Sequence, residues 1–130
     1  MKPVSTSQAP AAVGPYSQAI IANGLVFVSG QLPIDPATGE FVSNDPVDQC
    51  RQSLRNIEAI AKSVGADLSH VVRTTVLLKD LSSFAAVNAA YAEFFPGVPP
   101  ARTTFEASAL PKGALVEIDA IIVLDKTSNG

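Results

Sequence analysis

The spacing of apolar positions changes several times along this chain, and each change marks an element. Ser17–Ala22 and Leu25–Ser29 are short β-prone runs on either side of Asn23-Gly24. Both turn residues accept positive φ, so the stretch predicts a tight hairpin. Pro33-Ile34-Asp35-Pro36-Ala37-Thr38-Gly39 is loop chemistry. The period then lengthens. Val47, Cys50, Leu54, Ile57, Ala61 and Val64 step by three and four, which is one helical face. Asp45 is placed to cap that helix, Pro46 to open its first turn and Gly65 to end it. Val71–Leu78 is rich in β-branched residues and reads as a strand. A second helix is expected from Leu81 to Phe95. Its buried stripe would be Phe84, Val87, Tyr91 and Phe94, and Pro96-Gly97 would stop it. Arg102–Leu110 and Leu115–Leu124 are two further strands, joined through Pro111-Lys112-Gly113-Ala114. The first few residues and the tail Lys126-Thr127-Ser128-Asn129-Gly130 read as ragged ends.

The order β-β-loop-α-β-α-β-β implies an α+β fold of two layers. A single domain spans 1–130, with two helices on one face of a sheet of about five or six strands. The other sheet face then needs a cover of its own, and an apolar open face predicts self-association.

Composition narrows the function. Apolar residues make up 47% of the 130, which suits one packed domain without a disulfide or metal staple. Nine Lys and Arg against twelve Asp and Glu give a net charge of −3, with no basic stripe for nucleic acid. One cysteine and one histidine exclude an intrachain disulfide and any Cys/His zinc cluster. Cys50 falls on the helical face and reads as a small buried hydrophobe. No run approaches the roughly 18 apolar residues of a membrane span. The start Met1-Lys2-Pro3-Val4-Ser5 has no secretory apolar region, so the expected compartment is the cytoplasm. His70 opens a strand with no Gly-x-Ser-x-Gly elbow anywhere, and reads as a strand-end residue. Neither phosphate-binding glycine motif occurs.

The last two strands carry the candidate chemistry. Alternation puts Arg102, Thr104, Glu106 and Ser108 on one face of the first. Glu117 and Asp119 share a face of the second with Ile121 and Val123, opposite a wholly apolar face. Apolar residues on both faces near its end predict burial on both sides. Glu117 is then partly desolvated, with a pKa raised toward values useful in proton transfer. The rigid fork of Arg102 suits a small carboxylate; a structural Arg–Glu ion pair explains the same pattern. Were these strands direct hairpin partners, Ser108 would face Glu117. Arg102 would then lie roughly 20 Å from Glu117 at about 3.3–3.4 Å per residue. Either they are not hairpin partners, or the two residues meet across a subunit boundary. Earlier in the chain, Gly14-Pro15 fixes a turn that presents Tyr16, and Gly30 after Ser29 permits close approach of a ligand.

Taken together, the motifs resemble the RidA (YjgF-type) family. The resemblance rests on Gly14-Pro15-Tyr16-Ser17-Gln18-Ala19, Ser29-Gly30-Gln31, Thr74-Thr75-Val76 with Lys79-Asp80-Leu81, and Val87-Asn88-Ala89-Ala90-Tyr91. It continues with Pro100-Ala101-Arg102-Thr103, Leu110-Pro111-Lys112 and Glu117-Ile118-Asp119-Ala120. It implies a chorismate-mutase-like fold with a mixed sheet and a homotrimer with sites in clefts between subunits. It also implies hydrolysis of 2-iminobutanoate and 2-iminopropanoate to 2-oxo acids and ammonia, with neither metal nor organic cofactor. Arg102 would bind the substrate carboxylate, Glu117 would position water, and Tyr16 would complete the catalytic set. Ser29, Gly30, Asn88 and Thr104 would line the substrate. Thr104 stands where many bacterial deaminases of the family carry cysteine. Other functions compatible with the resemblance are a non-catalytic metabolite-binding trimer, an endoribonuclease, against which the acidic pI argues, and a chaperone-like holdase.

Overall fold

The computed structural model describes residues 1–124; the tail Lys126–Gly130 lies outside them. The described residues form the strands β1 (Lys2–Val4), β2 (Ala19–Ala22), β3 (Leu25–Gln31), β4 (Ile34–Asp35), β5 (Glu40–Phe41), β6 (Val71–Leu78), β7 (Ala101–Glu106) and β8 (Val116–Val123), and the helices α1 (Pro46–Ser63) and α2 (Phe84–Ala92). Six strands make one sheet in the order β1-β2-β3-β8-β6-β7, and β4 with β5 makes a separate small hairpin. β6 and β7 run parallel, and every other neighbouring pair in the large sheet is antiparallel. The sheet is therefore mixed.

Local signals set most of these elements. Asn23 and Gly24 adopt φ 52° and 74°, which turns β2 into β3. Asp45 accepts a hydrogen bond from Asp48 N at 3.1 Å, Pro46 follows in the first turn, and the helix starts there. At the other end Gly65 takes φ 80°. Its N–H donates to Lys62 O, and Ala66 N donates back to Ala61 O at 2.9 Å, closing a Schellman motif.

The buried face of α1 is broader than the apolar spacing indicates. Cys50, Leu54, Ile57, Ile60 and Ala61 are buried, and so are Gln49, Gln52, Ser53 and Asn56. Three of these polar residues are matched to specific partners. Gln49 accepts from Leu115 N at 2.7 Å and donates to Ser43 O at 2.9 Å. Asn56 donates to Leu32 O and Ile34 O, and accepts from Gln52. A buried amide without partners would cost about 1–3 kcal/mol. Satisfied, these amides tie the helix to the segment after β3 and to the start of β8.

Three expectations need correction. The N-terminus is not ragged: β1 pairs with β2, and Gln18 accepts from Thr6 N and donates to Thr6 O, Ala9 O and Pro10 O. The stretch after Pro33 contains a short hairpin as well as a loop. The second helix is shorter, running Phe84–Ala92 behind a 3₁₀ turn at Leu81–Ser83. Its buried residues are Val87, Ala90 and Tyr91, with Phe95 packed on Tyr91 beyond its end. Phe84 is 36% exposed and Phe94 half-buried, because the chain leaves the helical spiral before Phe94.

Both helices cover one face of the sheet. On β8 that face is Val116, Ile118, Ala120 and Ile122, all buried. The opposite face has Glu117, Asp119, Ile121 and Val123 half-buried, with Phe27 and Phe105 exposed. The expectation that β8 is buried on both sides is thus met on one side only, because no element among the described residues crosses the second.

Candidate active site

β6 lies between β7 and β8, so the last two strands are not hairpin partners. Arg102 pairs with Thr74 of β6, and Glu117 with Leu77. Residues paired across a sheet share a face, and neighbours along a strand alternate. Thr74 is buried against α2, where its hydroxyl hydrogen-bonds Tyr91 at 2.7 Å. Leu77 lies on the opposite face. Arg102 and Glu117 therefore open onto opposite faces of the sheet, and the structural ion pair between them does not form within the chain. Each instead belongs to a cavity of about 510 Å³.

The first cavity gathers Tyr16, Ser29, Gly30 and Glu117, with Lys112 at its wall. A β-bulge builds it. Val28 pairs with Ala120 and Gln31 with Ile118, so Ser29 and Gly30 hold one residue more than the facing strand. Gly30 has a physical necessity here: a Cβ on it would overlap the Glu117 carboxylate. The close approach foreseen for a ligand is thus already made by a side chain of the protein. Burial, and then the Asp119 charge, raise the Glu117 pKa above the ordinary carboxylate value. Asp119 itself accepts from Thr75 N at 3.0 Å.

The loop carrying Tyr16 turns at Gly14, φ 121°, where Tyr16 N donates to Gly14 O at 2.9 Å. The Tyr16 hydroxyl accepts weakly from Val13 N at 3.4 Å, and its proton makes no hydrogen bond among the described residues. Ser29 is differently placed. Its hydroxyl donates to Ser17 O at 2.6 Å, so it holds the wall together and keeps only lone pairs for a ligand. Gln18 pins the outer loop from beneath.

The second cavity contains Arg102 with Asn88, Tyr91, Phe95, Pro99 and Pro100. Arg102 Nη1 donates to Asn88 Oδ1 at 2.7 Å. Its guanidinium carbon lies 4.9 Å from the Tyr91 ring centroid and 5.6 Å from that of Phe84. It makes no ion pair among the described residues, so its charge is held by an amide and two rings. Thr104, two residues on and on the same face, has a buried hydroxyl with no hydrogen-bond partner. Arg102, Asn88 and Thr104 thus share one side of the sheet, while Tyr16, Ser29, Gly30 and Glu117 gather in the other cavity.

Comparison with known proteins identifies the family. A family model described as Endoribonuclease L-PSP matches residues 6–124. The chain belongs to this family, which is the RidA family. It is 59% identical over 124 residues to a RutC family protein of Sinorhizobium fredii, covering 95% of this chain and 98% of that one. It is 48% identical over 120 residues to the 2-iminobutanoate/2-iminopropanoate deaminase of Capra hircus, covering 92% and 88%. The crystal structure of the YjgF gene product of E. coli matches with a TM-score of 0.92 at 43% identity, over 96% of this chain and 100% of that one. The RidA chain has the chorismate-mutase-like fold of these relatives.

Sequence reasoning left two site residues without a role. Lys112 lines the Glu117 cavity, and its φ of 58° is a rare left-handed setting for a side-chain residue. Its place before Gly113 in a Pro-Lys-Gly turn is the available signal. Tyr91 belongs to the core stripe of α2, as its spacing predicts. Its second task, under Arg102, arises only because β7 returns beside β6. No three His, Cys, Asp or Glu side chains converge as a metal set among the described residues, and no helix there is long and apolar enough to cross a membrane.

Proposed function

We propose that this protein hydrolyses small 2-imino acids to 2-oxo acids and ammonia in the cytoplasm, without metal or organic cofactor, as a homotrimer whose clefts join the two cavities across subunits. The observation that carries the reading is the separation itself. A guanidinium free of carboxylates and a carboxylate of raised pKa lie on opposite faces of one sheet, each in an open cavity. Together they are the two groups an imino acid requires. Arg102 holds the substrate carboxylate through its unused N–H groups. Glu117 orients a water and takes its proton as the oxygen bonds to the imine carbon. With the imine protonated, the C=N electrons move to nitrogen, Glu117 returns the water's proton to the amine so formed, the C–N bond breaks to release ammonia, and the hydroxyl gives up its proton as the carbonyl forms. Tyr16, with a free hydroxyl proton, sits beside Glu117 to hold the nitrogen or the new oxygen. Much of the gain is positioning, worth up to about 7–11 kcal/mol in well-oriented systems. The charge of −3 offers little to a polyanion, which disfavours a ribonuclease reading.

The decisive test assays imines generated in situ against the purified protein. Arg102→Ala should remove hydrolysis while leaving fold and assembly intact, since losing one partner of such a contact costs about 2–5 kcal/mol. Arg102→Lys should also be poor, because an ammonium cannot reproduce the fork. Wild-type rates in Arg102→Ala would sink the reading.

A further inference from the structure

Arg102 stands on an edge strand that is exposed along most of its length. A long side chain there would ordinarily sample many rotamers, and ordering it costs side-chain entropy. Here it is held from two directions. Asn88 takes Nη1 at 2.7 Å. The Tyr91 ring lies beneath the guanidinium at 4.9 Å, closer than Phe84 at 5.6 Å. The ring is itself locked. Tyr91 is only 5% exposed, stacks on Phe95 with centroids 4.8 Å apart, and shares a 2.7 Å hydrogen bond with Thr74. Thr74 is 1% exposed and is the β6 residue directly paired with Arg102. A strand neighbour of Arg102 thus fixes the ring that fixes Arg102.

We propose that Tyr91, anchored by Thr74, is the positioning residue of Arg102, setting the plane in which the guanidinium meets a substrate carboxylate. This rests on the reading of Arg102 as the carboxylate-binding group. A buried phenol fits the task for two reasons. Its ring face attracts the cation without neutralising it, which a carboxylate would do. Its hydroxyl, hydrogen-bonded to Thr74, gives a directional tether that phenylalanine lacks. The arrangement leaves the remaining guanidinium N–H groups unused among the described residues. Phe84, at the exposed start of α2, supplies the weaker second contact.

The test measures 2-oxobutanoate affinity by calorimetric titration, beside steady-state imine hydrolysis, in the intact protein. Thr74→Val keeps the shape of the side chain and removes its hydroxyl; Tyr91→Phe keeps the ring and removes the other end of the same bond. Each should weaken 2-oxobutanoate binding about 3–10-fold and raise KM similarly, with kcat changed less. The double variant should be no worse than either single one, and Thr74→Ser should restore wild-type affinity. In an Arg102→Ala background Tyr91→Phe should have no further effect. The same loss with and without Arg102 would mean that Tyr91 only supports the fold. Wild-type affinity in both Thr74→Val and Tyr91→Phe would overturn the proposal while leaving the function intact. An Arg102→Ala protein that still binds 2-oxobutanoate normally would remove the function and this inference together.

Discussion

The two cavities are built differently. Around Arg102 the control is by side chains: an amide and two rings from α2 hold a guanidinium that stands on an edge strand. Around Glu117 it is by backbone: a bulge, a glycine with no room for a methyl group, and loops pinned through Gln18 and Asn56. Side-chain control loosens by degrees, because each contact contributes a small part. At Gly30 a single added carbon acts at once, because it must move the Glu117 carboxylate out of its place. Changes in the two regions should therefore differ in kind as well as in size.

The largest effect is expected from recombining the halves. Arg102→Ala and Glu117→Gln should each be nearly inactive alone. Mixed under conditions that exchange subunits, they should regain activity, since some clefts then combine an intact Arg102 with an intact Glu117. Random exchange in a closed ring restores about one cleft in four. Inactive mixtures that demonstrably exchange subunits would show that each chain completes its own site.

A smaller effect, still large, is expected at Gly30. Gly30→Ala must displace the Glu117 carboxylate, and a misplacement of about 1 Å can cost about 100-fold in rate. 2-Oxobutanoate binding to the Arg102 half should survive with a much smaller loss. Equal losses in binding and turnover would break the distinction between the halves.

The smallest effect concerns pH. The raised pKa of Glu117 means that the folded protein holds this proton more tightly than the unfolded chain does. Stability from this group is thus fully present below the ordinary glutamate value, about 4.3, and declines as pH rises through the folded value. Glu117→Gln should melt higher than the wild type at neutral pH, with the gap closing on acidification. Its activity, though low, should lose the acid limb of the wild-type profile. Thermal melts between about pH 4 and 8 check the first claim, and a gap that widened toward low pH would reverse the assigned sign.

The hairpin at Asn23-Gly24, the caps of α1 and the extent of β6 were legible in the sequence, because each depends on residues within about one turn of the chain. The charged candidates were legible too: Arg102 and Glu117 stand out as polar positions in strands, and the expected desolvation of Glu117 is met by its half-buried setting. The buried amides of α1 were not. Gln49, Gln52 and Asn56 look like a solvated face until the loop after β3 and the start of β8 come to them for hydrogen bonds. Nor was the role of Tyr91, or the reason that residue 30 is glycine, since each depends on a side chain brought from a distant strand.

The sequence by itself determined the elements, their order and the chemical groups on them. Those follow from backbone preference, side-chain period and charge, which act over a few residues. Only the tertiary structure decided which groups meet. Alternation assigns a residue to one side of its own strand, but it does not say which strand lies next to it. α2 carries the chain across the sheet so that β7 returns parallel to β6, and β8 enters antiparallel on the other side. With β6 between them, the register sets Arg102 under the helices and Glu117 on the uncovered face. Burying Val116, Ile118, Ala120 and Ile122 on the helix side fixes that choice for β8, because shifting this strand by one residue would turn its apolar side outward.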